Sequence, residues 1–265
     1  MDPTDVVNAA LAGARDTAAR VGALLSSLPD ATAPIRPGTW TVREAAVHLA
    51  VEVEPCLELV RGAPAPFVYT DAEQFNADGA QRIADIPETD PAKLAALVVD
   101  VVDRFVAVAA GRPGEAPIDF FGTPFNLAEL AGVVLAEYLV HGWDIATAVG
   151  RPWTIDPDLA RLGLFGYARC FAMCVDPVAT AGHTASYGLD LRGGPGLTAR
   201  FTDGALTLHP GGGAVDAVIS ADPVALLLVG LGRLTRWQAM ALGLLDVGGD
   251  RPDLALGYFD LFDAP

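Results

Sequence analysis

Glu137 and His141 stand four residues apart within an apolar run that includes Leu130, Val134, Ile145 and Ala148. On an α-helix that spacing sends both side chains from one face, and the rhythm of the apolar neighbours turns the face toward a core. An ionised carboxylate in an apolar interior is costly unless something compensates it. The pair therefore reads either as a buried Glu–His hydrogen bond or as two ligands of a divalent metal. His48 would supply the third ligand from another helix. Two imidazoles and one carboxylate are the donor set of several hydrolytic zinc sites and of non-haem iron sites. Taken alone, His48 also reads as a hydrogen-bonded core histidine. Asp144, three residues past His141, is placed either to orient that imidazole or to act as a capping or surface carboxylate. The other two histidines, His183 and His209, read as surface or structural. Cys56 lies two turns beyond His48, about 12 Å along a helix axis, and makes a poor fourth ligand.

The elements that must hold these residues follow from periodicity and capping. Apolar spacing predicts a helix over 4–28, ahead of a Pro-rich loop at 29–39. A second helix begins at Thr41, with Glu44 as its capping-box partner, and runs to about Val60 with a kink at Pro55. A loop-rich stretch follows over 62–90, with a short helix near 71–83. A third long helix spans about 91–110. After a Gly/Pro-rich connection at 111–124, a fourth helix spans about 126–149, capped by Asn126 and closed by Gly150. Four long helices imply a bundle, whose interior is a usual place for a metal. From Asp156 to Val175 a further helix connects to a different texture. There, short runs at 184–191, 197–201, 205–208 and 215–220 alternate or are rich in β-branched residues. Asp203-Gly204 marks a hairpin. Helices near 222–231 and 235–242, a strand near 244–248 and a helix over 251–262 complete the pattern. The fold class is α+β: a four-helix bundle over 1–155, a connecting helix over 156–177, and a small α+β domain over 178–265.

Composition limits the function. The chain has 265 residues, 52% hydrophobic and 19% charged, with a net charge of −16. That balance supports a buried core and argues against nucleic acid or an anionic membrane as partner, since each needs a basic face. Lys93 is the single lysine among seventeen cationic side chains. The opening Met-Asp-Pro-Thr-Asp is acidic where a secretory signal needs positive charge, and no apolar stretch suits a bilayer span. Three cysteines, Cys56, Cys170 and Cys174, form no disulfide framework, and Cys170 and Cys174 read as core packing. The expected setting is a reducing cytoplasm, with the chain a monomer or small homo-oligomer.

Trp40-Thr41-Val42…His48-Leu49, followed by Glu137-Tyr138-Leu139-Val140-His141-Gly142-Trp143-Asp144, resembles the DinB-like metal-binding bundle of the mycothiol-dependent maleylpyruvate isomerase family. The later segments Gly230-Leu231-Gly232-Arg233, Ala241-Leu242-Gly243 and Val247-Gly248-Gly249-Asp250 resemble that family's sterol-carrier-like C-terminal domain. The resemblance implies that His48, Glu137 and His141 bind a divalent metal, usually Zn²⁺. It also implies a low-molecular-weight thiol such as mycothiol as cosubstrate, activated at the metal's open position. The thiolate would add to a small electrophile such as a cis-enoyl diacid, and the adduct would end as the trans isomer or as a released conjugate. Arg233 and Arg236 are the candidates for contacts to substrate carboxylates, with solvated surface arginines as the other reading. The alternative class is a non-catalytic protein that uses an apolar groove of the C-terminal domain for a lipid or small hydrophobic ligand, its metal structural or absent. Trp40 and Trp143 are expected to pack the bundle.

Overall fold

Most helices start where a side chain takes up the free backbone N–H groups of a first turn. In the computed structural model, which describes residues 2–36, 38–66, 68 and 72–263 apart from the side chains of 72–76, Asp2 caps α1 (Pro3–Ser26). Thr41 and Glu44 form a complete capping box on α2 (Val42–Arg61), which ends at Gly62 with φ 92°. That left-handed turn is one that only glycine adopts without strain. α3 (Ala72–Ala84) follows, so Asp71, the expected start of the short helix, lies outside the described residues. Asp90 caps α4 (Pro91–Ala109), and Asn126 with Glu129 forms the box on α5 (Leu127–Ala148). α2 continues through Pro55.

The four long helices close a ring in which α1 and α2 each pack against both α4 and α5. α5 is buried on nearly every side, from Leu127 and Leu130 to Ile145 and Ala146, and not along one stripe as its periodicity suggests. Tyr138, fully buried, donates its hydroxyl proton to the Val98 carbonyl at 2.7 Å and ties α5 to α4.

The 111–124 segment departs from the sequence expectation. It contains an antiparallel hairpin, β1 (Pro117–Phe120) and β2 (Thr123–Asn126), turned by Phe121 and Gly122, both at positive φ. Paired positive φ values suit the twist of a two-residue hairpin loop. Strands of four residues with Pro117 and Pro124 inside them are too short and too irregular to show alternation. What holds the hairpin is a cluster of Phe120, Phe121 and Phe125, with ring centroids 4.7 Å apart.

Two compact units divide the chain, Met1–Ile155 and Asp156–Pro265. The helix that the sequence sets apart as a connector, α6 (Pro157–Met173), falls in the second. Its partners are β3 (Ala185–Leu191), β4 (Leu197–Thr202), β5 (Ala205–Pro210), β6 (Ala217–Ala221) and β7 (Leu245–Gly248), in spatial order β5-β4-β3-β6-β7. Only the β3–β6 pair is parallel. Asp203 and Gly204, at φ 49° and 82°, turn the β4–β5 hairpin. α7 (Pro223–Gly230) and α8 (Arg236–Ala241) link β6 to β7. The last helix is shorter than expected: α9 (Pro252–Gly257) tightens into a 3₁₀ turn over Tyr258–Leu261. Among the described residues no helix is long and apolar enough to cross a membrane.

Candidate metal centre

α2 and α5 lie side by side in the bundle, and their packing brings His48, Glu137 and His141 together. The Nε2 atoms of His48 and His141 lie 3.2 and 3.3 Å from one Glu137 carboxylate oxygen. One donor atom from each residue falls within 4.8 Å of the other two. The side chains keep 16%, 13% and 8% of their surface exposed for His48, Glu137 and His141, so the cluster is buried yet reachable.

Each imidazole also has a carboxylate behind it. His141 Nδ1 lies 3.0 Å from the buried Asp144 carboxylate, a close contact made off the line of a straight hydrogen bond. His48 Nδ1 lies 4.0 Å from Glu52, one turn further along α2. Glu52 is fixed by Arg82 of α3, whose Nη2 donates to it at 2.7 Å. The same guanidinium donates through Nη1 to the Val51 carbonyl at 2.7 Å. That carbonyl is the one Pro55 leaves without its helical N–H, because proline has none to give. Pro55 thus opens the acceptor that anchors Arg82, and Arg82 holds the carboxylate behind His48.

Electrostatics couple the cluster tightly. Burial pushes the Glu137 carboxyl up, but hydrogen bonds from His141 and His48 outweigh it and hold the group well below the usual carboxylate range. Burial alone would lower the His141 pKa, while contacts with Asp144 and Glu137 raise it above its ordinary 6.5. Cys56 is a different case: its thiol is buried and donates to the Glu52 carbonyl at 3.3 Å. Burial, and then the charges of Glu52 and Glu137, push that thiol far up. A thiol so suppressed is a poor nucleophile and a poor ligand.

Two further residues shape the site. Trp40 packs against the site itself, its ring centroid 4.7 Å from that of His48 and 5.8 Å from that of His141. Gly142, next to His141, is required by close approach: a Cβ there would come within 2.5 Å of Trp153 and 3.1 Å of Val21. Trp153 is held under the Arg20 guanidinium, 4.1 Å from its ring centroid. Glu52 and Arg82 are the residues that sequence reasoning missed. The spacing of His48 and Glu52 was visible, but which carboxylate on that face backs the imidazole depends on α3.

The remaining candidates belong to the second unit. His183 sits 2.8 Å from the Tyr187 hydroxyl and packs on Phe201, while His209 is exposed. Arg233 donates to the Leu231 carbonyl, and Arg236 pairs with Asp260 at 2.6 Å and lies over Trp237.

The donor set suits a metal. For two ligands at about 2.0–2.1 Å from a tetrahedral Zn²⁺, their mutual separation is about 3.3 Å. The two imidazole–carboxylate separations match that figure. Carboxylates behind both rings are a usual means of fixing the metal-binding tautomer. Three protein donors leave a coordination position for another molecule.

Residues 11–146, just over half of the chain, match the mycothiol maleylpyruvate isomerase N-terminal domain. The chain belongs to the mycothiol maleylpyruvate isomerase family. That family is one of enzymes, and its membership argues against a purely passive binding module. The crystal structure of the mycothiol-dependent maleylpyruvate isomerase superposes with a TM-score of 0.56 at 16% identity, covering 91% of this chain and 92% of that one. A histidine-to-alanine mutant of that enzyme gives a TM-score of 0.57 over the same coverage. At such identity the likeness is one of fold, and it extends well past the stretch matched by the family's N-terminal domain. No curated protein sequence matches the chain.

Proposed function

We propose that this member of the family is a metal-dependent isomerase or transferase that uses a low-molecular-weight thiol of the mycothiol kind. The observation that carries the reading is the convergence of two imidazoles on one buried carboxylate oxygen, each ring backed by a second carboxylate. His48, Glu137 and His141 would hold the metal, most simply Zn²⁺. When bound, that ion supplies Lewis acidity that lowers a thiol's pKa and keeps the thiolate ready as a nucleophile. Asp144 lies 3.0 Å from His141 Nδ1 and Glu52 stands 4.0 Å from His48 Nδ1, while the Nε2 atoms of both rings approach Glu137. Trp40 lies against both imidazoles. Cys56 stays protonated and does not compete with an external thiol.

The electrophile fitted to this chemistry is a small unsaturated acid such as a cis-enoyl diacid. Addition of the thiolate sulfur turns the double bond into a rotatable single bond. Expulsion of the same thiolate then yields the trans isomer, and release of the adduct yields the conjugate. Arg233 and Arg236 remain candidates for the substrate's carboxylates, with Arg236 needing to leave Asp260 or share its guanidinium. A reducing cytoplasm would keep the cosubstrate and the three free cysteines in their thiol state.

The experiment is metal analysis of the purified protein beside His141→Ala, followed by incubation with a thiol and a panel of cis-enoyl acids. The expected result is about one divalent ion per chain in the wild type, near none in the variant, and thiol-dependent product from the wild type alone. Equally low metal in both proteins after zinc loading would overturn the reading.

A further inference from the structure

We infer that the C-terminal unit carries a second, independent ligand site: an apolar cavity that takes a neutral amphiphile, with a hydrocarbon body of about ten carbons and a hydrogen-bond-donating end such as a hydroxyl. The cavity has a volume of about 260 Å³ and lies between α6 and the sheet, with α7 and the 3₁₀ turn closing it. All its lining residues belong to the second unit. Protein interiors are close-packed, and voids much larger than a water molecule are few. This hollow is open on one side and leaves hydrocarbon surface uncovered, which suits an apolar ligand.

Its walls give the chemical class. Leu189 of β3, Leu206 and Leu208 of β5, Leu226 of α7 and Phe171 of α6 make an aliphatic and aromatic lining. On β5 the leucines alternate with the exposed Ala205, Thr207 and His209, so the strand directs only apolar groups at the cavity. A dry cavity of about 150 Å³ with such walls holds benzene. Scaled by volume, 260 Å³ accommodates about ten carbons.

The polar end is set by the two lining residues that carry hydrogen-bonding side chains, Tyr258 and Asp263. Tyr258 is 7% exposed. Its hydroxyl has no hydrogen-bond partner among the described residues, and burial pushes its pKa well up. A neutral phenol there both gives and accepts a hydrogen bond. Asp263 is exposed, which places it at the rim, and it is the one charged residue of the lining. An ionised carboxylate accepts hydrogen bonds and repels a second carboxylate. The chain's net charge of −16 adds to that repulsion. A fatty acid anion is therefore the wrong end group, and an alcohol is the right one.

The test titrates the full zinc-loaded chain at pH 8 with 1-decanol and separately with sodium decanoate, below its micelle concentration, by calorimetry. We expect decanol to bind one per chain, and about tenfold more tightly than decanoate. Asp263→Asn should narrow that ratio to about threefold or less. Val229→Trp, which fills the cavity from α7, should abolish decanol binding with metal content unchanged. Ala168→Phe serves the same end from α6 should the first variant misfold. Tighter binding of decanoate, or decanol binding that survives filling, would overturn the inference. So would no binding of either ligand, including the case in which a second copy of the chain closes the cavity and filling only changes the oligomeric state. None of these outcomes depends on the metal centre.

Discussion

The bundle and the C-terminal unit treat their interiors in opposite ways. In the bundle, helices that are otherwise aliphatic give up core volume to the three polar side chains of the candidate metal centre and two carboxylates behind them. In the C-terminal unit an apolar hollow is left unfilled, and only Tyr258 and Asp263 of its lining carry hydrogen-bonding side chains. The first arrangement is stable only when every buried charge has a partner, because an unpaired one costs several kcal/mol. The second tolerates emptiness but not charge. The contrast is between an interior that gathers paired charges and one that stays apolar, and each limits the kind of ligand it could take.

The largest test of the contrast is Glu137→Ala. It removes the oxygen that both imidazoles approach, and metal binding measured by competition with a chelator should be lost altogether. Asp144→Asn keeps the shape and removes the charge behind His141, so zinc affinity should fall about 10- to 100-fold with the fold intact by circular dichroism.

The two glycines that face aromatic rings sharpen the comparison further. Gly142→Ala drives a Cβ to 2.5 Å from Trp153, which is held under the guanidinium of Arg20 on α1. It should cost about 2 kcal/mol in urea unfolding of the metal-free protein. Gly230→Ala meets Phe171 at 2.7 Å, but Phe171 borders the cavity and has room to move. Its cost should stay below about 1 kcal/mol. Equal costs would mean that the cavity does not relax strain.

The smallest effect is the pH dependence of the metal-free bundle. The folded-state pKa of His141 is raised above 6.5, so its contribution is fully present below 6.5 and is lost as pH rises through the raised value. The Glu137 pKa is depressed below 4.5, so its contribution is present above 4.5 and is lost as pH falls through the lowered value. Metal-free stability should thus peak between about pH 4.5 and 6.5 and decline on the alkaline side. Zinc-loaded protein should show the reverse trend above pH 6.5, because metal binding requires a neutral imidazole. Urea midpoints from pH 5 to 9, with and without chelator, check both slopes.

Much of this was legible in the residues. The capping box at Thr41/Glu44 and the cap at Asn126 set helix starts, and Asp203-Gly204 set a hairpin, because those signals are local hydrogen bonds and local dihedrals. Glu137 and His141 were legible as a pair because helical geometry alone puts them on one face. The hairpin over 117–126 was not legible, since its strands are held by a phenylalanine cluster and not by alternation. Nor was the place of Trp40 against the two imidazoles, which depends on where the loop before α2 comes to rest.

The chain's own sequence determined the donor types, their helices and the local starts and stops of those helices, all consequences of interactions within a few residues. Only the tertiary structure decided that the imidazole of α2 meets the carboxylate of α5, and that Arg82 of α3 fixes Glu52 through a carbonyl freed by Pro55. It alone opened a cavity over the second sheet. Those outcomes depend on how distant helices and strands pack, and packing is set by the whole complementary surface of each element, which no short spacing encodes.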